Sequence, residues 1–488
     1  MGGSQSLDSS LLSRQNKAKT ETELRERRPS DPNPRPAVLQ NARAVRPLPG
    51  PLQATLRLSL ACVATGIITG FFVSLFNTSV VKLQGWLGIA QLIGEKRGAP
   101  ELIGLPLLGG LAVGLVQRVT KMCGLPVGVR DLKALRDGLS SDRGTASRDV
   151  ASLFLHSLAA VLSLGCANSV GPMAVRILLG IHISNVTGNI LALSLEDHES
   201  LLAVGAVAGV AAGAQTPLAA TIFGLEQAGP SPEKHGLRIA LSMVGAVVAV
   251  ATSVRGLTVV HVLELLKGSD NSHRVSELPA LALLGCICGG LSWLFSKILR
   301  PAMAGLWKAA EHRGVAREWH PGLAGLCTAL VAWLGLPEVL FIGWANFQQV
   351  LLHSESFTAD RLLVLCLSKL LLTALSHTSG FPGGLFAPSM FAGAAFGGFF
   401  GKLVQPMYMI SSQKEAPSHL RVYSVVGMAA SLGTTCNVPG TAAALLFEIT
   451  HSVDLVIPCF CGVGAAHLSS VMLDLSFNRD GLAKIAAT

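Results

Sequence analysis

A chain of 488 residues in which half belong to the apolar set and only 14% are charged does not fit a soluble globule, whose charged share is roughly 25%. The formal charge of +9 is not a nucleic-acid footprint: nine Lys and Arg fall in residues 1–50 beside five Asp and Glu, and no basic patch interleaved with aromatics follows. What remains is an all-α polytopic membrane protein of one membrane domain, because the apolar segments succeed one another without a soluble break.

Residues 1–50 are rich in Ser, Pro, Arg and Gln, carry no apolar periodicity and read as a disordered basic tail. Their basic excess favours a cytosol-like side for the N-terminus. Gly2 followed by Ser6 fits the myristoylation pattern. Arg and Ser fit an organellar transit peptide, although Asp8, Glu21, Glu23, Glu26 and Asp31 count against one.

Residues 56–83 form the first apolar run and exceed the roughly 20 residues a spanning helix needs. Further runs fall near 102–119, 150–165, 171–193, 200–226 and 237–264, then 278–299, 321–342, 361–376, 384–404, 421–433, 438–449 and 452–474. Several are too short to span or are cut by Gly and Pro. Broken helices persist at membrane depth only where protein or a water-filled cavity satisfies their backbone, as in transporters. The polar connections are 120–149, 266–277, 300–320 and 411–420. The domain reading is a tail over 1–50, a membrane domain over 51–478 and a short tail over 479–488, with no cytosolic regulatory domain following. Ten scattered cysteines, the nearest pairs being Cys286/Cys288 and Cys459/Cys461, lack zinc spacing and read as small buried hydrophobes.

The most informative stretch is Ser379-Gly-Phe-Pro-Gly-Gly-Leu-Phe-Ala-Pro388. Its glycines strip side chains from a turn, and Pro388 stands where a helix begins. The N–H groups of Leu385 and Phe386 then lie free at a helix N-terminus, where the helix dipole favours an anion. No lysine is needed, which suits a pore that must release its ion. Gly393, Gly397 and Gly401 recur every fourth residue and predict a small packing face. A Gly-rich helix-packing turn is the alternative reading of the whole stretch.

SGFPGGLFAPSMFAGAAFG (379–397) resembles the GGxFxP motif of the CLC family of chloride channels and anion/proton exchangers. Two further stretches are similar in the same order: AVGAVAGVAAGAQTPLAATIFGLEQ (203–227) and VGMAASLGTTCNVPGTAAALLFEIT (426–450). The resemblance covers roughly residues 55–478, and its texture is similar to the plant organellar branch. It implies an inverted repeat of tilted and broken helices, a homodimer with one pore per subunit, and no CBS domains here. It also implies an anion held by backbone amides at Gly384, Leu385 and Phe386, with the helix start near Gly171.

Departures from the family pattern bear on mechanism. The stretch matching the family's gating-glutamate motif is Asn168-Ser169-Val170-Gly171-Pro172, so Val170 replaces that glutamate. The family's second, proton-path glutamate is replaced by Gln227, directly after Glu226. Neither residue ionises, and coupled exchange needs titratable groups in the membrane. Counting back without gaps, the family's serine motif falls on Gly128-Val129-Arg130-Asp131-Leu132, where only the first glycine matches, so either the anion contact is altered to Val129 or the alignment slips there. Phe477 is the nearest aromatic to the family's anion-contacting tyrosine.

Glu226 and Glu448 lie in apolar surroundings, and Glu448 is expected to bind backbone amides as a structural group. Lys369 either raises the positive potential near the pore or snorkels to the interface. His377 is a candidate pH sensor or an ordinary hydrogen-bonded histidine. The expected function is passive chloride or small-anion flow through a gated channel in an organellar membrane, plastid or endomembrane. An anion/proton exchanger with another proton route and a non-conducting subunit are the alternatives. No cofactor and no nucleic acid is expected, and no HExxH or GxSxG signals an enzyme.

Overall fold

The structure, a computed structural model, describes residues 51–89, 101–125, 146–227, 235–253, 275–341, 345–352, 354–411 and 420–487. Among them every regular element is helical, and residues 55–488 form one compact unit. In chain order the helices are α1 (Pro51–Trp86), α2 (Glu101–Met122), α3 (Ala146–Gly165), α4 (Met173–Ile190), α5 (Leu195–Ala214), α6 (Pro217–Gln227), α7 (His235–Thr252) and α8 (Leu278–Leu294). Then come α9 (Arg300–His312), α10 (His320–Trp333), α11 (Ala345–Leu352), α12 (Ala359–Thr378), α13 (Phe386–Ser411), α14 (Leu420–Thr435), α15 (Pro439–Thr450) and α16 (Val456–Ala487). Among the described residues three stretches are long and apolar enough to cross a membrane: Gln53–Trp86, Leu278–His312 and Val453–Phe477. Most of the others are shorter than a bilayer requires, as the Gly and Pro breaks predict.

Local chemistry sets the breaks. Ser194 caps α5 by accepting from the Asp197 N–H at 3.2 Å, with Glu196 and Asp197 in the positive first turn. Thr358 caps α12 in the same way. The apolar run 200–226 is not one helix: Gln215 turns left-handed (φ 61°), and Pro217 starts α6 two residues later. The run after 420 repeats the device, with Asn437 at φ 56° and Pro439 opening α15. In both halves a left-handed residue, one spacer and a proline therefore turn a long helix into a short one.

The chain is an inverted repeat. The series α2–α7 is matched by α10 and α12–α16, and three of the partner pairs meet, α2 with α10, α4 with α13 and α6 with α15. α2 packs on α10 closely enough that a Cβ on Gly110 would lie 2.3 Å from the Pro321 carbonyl oxygen. The end of α6 meets the start of α15, and the end of α15 meets the start of α6, so these two run antiparallel. The predicted glycine face is real: Gly393 abuts Gly427, and Gly397 and Gly401 abut Tyr423, seating α13 on α14.

Two readings need correction. Residues 300–312 are helix rather than polar connection. α8 runs through a π-turn (Phe295–Leu299) into amphipathic α9, whose buried Trp307 donates to the Leu375 carbonyl at 3.2 Å. Helix α16 continues to Ala487. Helix α11 has no apolar run announcing it. The tail 1–50, most of the connection 120–149 and all of Val129 lie outside the described residues.

Candidate functional site

Two helix starts face each other at the centre of the compact unit. Leaving α3, the chain turns left-handed at Ala167 (φ 63°) and reaches α4 through Asn168–Pro172. Leaving α12, it turns at Gly380 (φ 102°), a conformation that favours glycine, and reaches α13 through Phe381–Leu385. The two connections are joined by an antiparallel bridge: Gly171 N–H donates to Gly384 O at 2.9 Å, and Gly384 N–H donates to Gly171 O at 2.7 Å. Only glycines permit this approach, since a Cβ on Gly384 would lie 2.9 Å from Ala174 Cβ and one on Gly171 would lie 3.0 Å from Gly384 O.

The bridge aims both helix N-termini at one region. The N–H groups of Met173, Ala174, Leu385 and Phe386 have no acceptor among the described residues. No side chain caps Pro172 at the start of α4. Four free donors and two positive dipole ends in a buried setting make an environment that stabilises negative charge without a formal cation.

Around the bridge the side chains are buried and neutral. Val170 is 1% exposed and packs against Gly383, where an added Cβ would sit 2.6 Å from Val170 Cβ. It shares an apolar cluster with Phe341 and Phe381. Ser169 Oγ lies 3.4 Å from Thr373 Oγ1, tying the first connection to α12. Asn168 donates to Ser163 O at 3.2 Å, and its Oδ1 is buried without a partner. Gln84 of α1 donates to Leu164 O and Phe341 O, and Gln117 of α2 donates to Gly380 O at 2.6 Å, so both connections are braced from outside.

The structure therefore brings together Val170, Gly171, Gly384, Leu385 and Phe386. It does not bring Gln227 or Phe477 to them. Gln227 is the exposed last residue of α6. Phe477 lies exposed on α16, its ring edge-on to Trp293 at 5.6 Å, which is a peripheral setting rather than that of a group between buried helix starts. His377 is half-buried at the end of α12. Lys369 does not snorkel. It is 4% exposed, and its Nζ donates to Val339 O at 2.7 Å.

Sequence reading missed the reciprocity of the two glutamates. Glu448 accepts from Leu218 N–H at 3.0 Å and Ala219 N–H at 2.9 Å, in the first turn of α6. Glu226, near the end of α6, accepts from Gly440 N–H at 2.6 Å and from the Thr441 N–H and hydroxyl, in the first turn of α15. Each short helix thus carries the carboxylate that caps the other. The signal was in the repeat: a proline opens each helix, and a glutamate follows nine residues later in both.

Comparison with known proteins agrees with this architecture. Residues 132–470 match the family described as Voltage gated chloride channel. Chloride channel protein CLC-e of Arabidopsis thaliana is 32% identical over 441 residues, covering 84% of this chain and 59% of that protein. The H(+)/Cl(-) exchange transporter ClcA of Vibrio cholerae is 27% identical over 309 residues, covering 61% of each chain. This chain thus spans about three fifths of the length of these relatives. The fold is similar to that of a slow cyanobacterial Cl-/H+ antiporter, with TM-score 0.70 and 20% identity over 86% of this chain and 95% of that one.

Proposed function

The chain belongs to the voltage gated chloride channel (CLC) family, and from that premise we propose that it is an anion channel. It passes chloride or another small anion passively between the starts of α4 and α13. The observation that carries this reading is the pair of uncapped helix starts joined at Gly171 and Gly384. The amides of Leu385 and Phe386, with Gly384 beside them, coordinate the ion, and the start of α4 at Gly171 faces it. Dipolar binding is strong enough to replace hydration and weak enough to let the ion leave.

Val170 supplies the gate. An apolar side chain in a narrow path blocks ions by dewetting it, and small movements of the connection open and close such a constriction. Passive flow is favoured over exchange because neither Val170 nor Gln227 can carry a proton. The protein works as a homodimer with a pore in each subunit. Its proposed place is an organellar membrane.

Reconstitution into chloride-loaded liposomes tests the function. Chloride efflux that proceeds once a potassium ionophore shunts the voltage, with no uphill proton movement, is the expected result. Protons driven against their gradient by chloride establish exchange instead. Absence of anion flux from folded protein establishes a non-conducting subunit.

A further inference from the structure

The bridge joins two connections, and a third reaches them. Leaving α10, residues 334–341 pass through a short turn (Pro337–Val339) and end at Phe341. Side chains from other elements take most of the carbonyls along this segment. Arg361 Nη2 donates to Gly335 O at 3.1 Å and pairs with Glu338 at 2.8 Å. Asn346 Nδ2 donates to Pro337 O at 3.1 Å and to Leu340 O at 3.2 Å.

The end of the segment is stapled to the first connection. Phe341 N–H donates to Ala167 O at 3.1 Å. Gln84, buried near the end of α1, donates through Nε2 to Leu164 O at 2.9 Å and to Phe341 O at 3.1 Å. A side-chain amide nitrogen carries two hydrogens, so both are engaged in holding the end of α3 to the end of the third connection. Helix α1 is seated closely here, since a Cβ on Gly165 would lie 2.3 Å from Leu83 Cδ2.

The side chain fixed by this staple is Phe341, 5% exposed. It belongs to the buried apolar cluster that contains Val170 and Phe381. It also lines, with Ala387 and Pro388 of the first turn of α13, a cavity of about 20 Å³, room for one water-sized particle. Each of the three connections thus contributes one apolar side chain beside the two helix starts: Val170 before α4, Phe381 before α13, and Phe341 from the third.

We propose that Phe341 is the second half of the gate, closing the path against Val170 and Phe381, and that Gln84 is its positioning residue. This assignment rests on the reading of Val170 as an apolar gate between α4 and α13. A polar side chain at position 341 wets the constriction, whereas an apolar one of the same shape keeps it dry. Loss of the Gln84 staple frees the end of the third connection and lets the ring leave the path.

The test is chloride flux from liposomes holding equal amounts of monodisperse protein. Phe341→Leu and Phe341→Asn place side chains of the same heavy-atom count and branching, one apolar and one polar, at the constriction. Gln84→Met keeps the length of the side chain and removes both donors. Phe341→Asn should conduct at least about fivefold faster than Phe341→Leu. Gln84→Met should conduct about threefold faster than wild type, and should add nothing in the Phe341→Asn background, because the side chain it releases is then no longer a barrier. A conducting wild type with Phe341→Leu and Phe341→Asn equal overturns the gate role of Phe341 and leaves the channel reading standing. A gain from Gln84→Met that is undiminished in the Phe341→Asn background overturns the positioning role. A silent wild type beside a conducting Phe341→Asn supports the gate, and silence in every variant overturns the channel reading and the gate with it. If Phe341→Asn does not fold, Gln84→Met alone decides, and flux equal to that of the wild type overturns the proposal.

Discussion

Four helix starts meet in two pairs in this protein, and the pairs are finished differently. At α6 and α15 each first turn is closed by a carboxylate from the other helix, Glu448 on Leu218 and Ala219, and Glu226 on Gly440 and Thr441. At α4 and α13 the first-turn amides have no such partner among the described residues, and the approach is by backbone alone, Gly171 to Gly384. The same physics acts at both, since unsatisfied N–H groups and a dipole end attract negative charge. In the first pair the negative charge is covalently resident and the contact is structural. In the second pair the place is left for an anion that can leave.

The comparison breaks most visibly if a resident carboxylate is put into the open pair. Val170→Glu places one beside the bridge, and anion flux should fall at least tenfold at neutral pH. The sign follows from the ion pair's own logic: a carboxylate competes for the amides only while ionised, so flux should recover as pH falls through its pKa and protonates it. Liposome flux against pH measures this. Unchanged flux at every pH would mean that the path does not run past Val170.

The reverse change sharpens the contrast at the closed pair. Glu448→Gln keeps one neutral acceptor and turns an NH2 donor toward the second amide N–H, and should cost about 1–3 kcal/mol of stability. A lower thermal midpoint with anion flux per folded protein kept within about twofold is the expected outcome. A flux loss as large as that of Val170→Glu would make the two pairs functionally equivalent and erase the distinction drawn here.

A steric test follows from the contact between Val170 and Gly383. Gly383→Ala forces a methyl group to within 2.6 Å of Val170 Cβ. Overpacking of this kind costs about 1–3 kcal/mol. In a Val170→Gly background, which removes that Cβ, most of the penalty of Gly383→Ala should vanish, and thermal melts of the single and double variants measure the coupling. The smallest effect is expected at Phe477→Ala. The ring lies on the exposed side of α16 against Trp293. Flux should stay within twofold of wild type.

Legibility in the sequence followed the physics. Hydropathy was enough to place most of the helices, because burial in lipid or among other helices leaves a composition signature. It missed α9, where Arg300, Lys308, Glu311 and His312 break up the apolar pattern around the buried Trp307, and α11, which is eight residues long. Gly384 was found because a site built from backbone advertises itself through glycines and a following proline, whereas Gly171 was reached only through the stretch that resembles the family's gating motif. The caps on α6 and α15 were half legible. Glu448 was expected to bind amides, but no local pattern says whose, because its partners lie more than two hundred residues away in sequence. Lys369 illustrates the limit. Its position in the run was plain, yet whether it reached water or turned inward to Val339 depended on packing that only the fold supplies.

The account stands on the amides of Leu385 and Phe386 receiving a diffusible anion, and a difference map between bromide-soaked and halide-free wild-type crystals tests this most directly. Bromide within hydrogen-bonding reach of both N–H groups, and none at the carboxylate-capped starts of α6 and α15, is the predicted result. Those two amides bonded to protein groups instead, with no halide between α4 and α13, would contradict it.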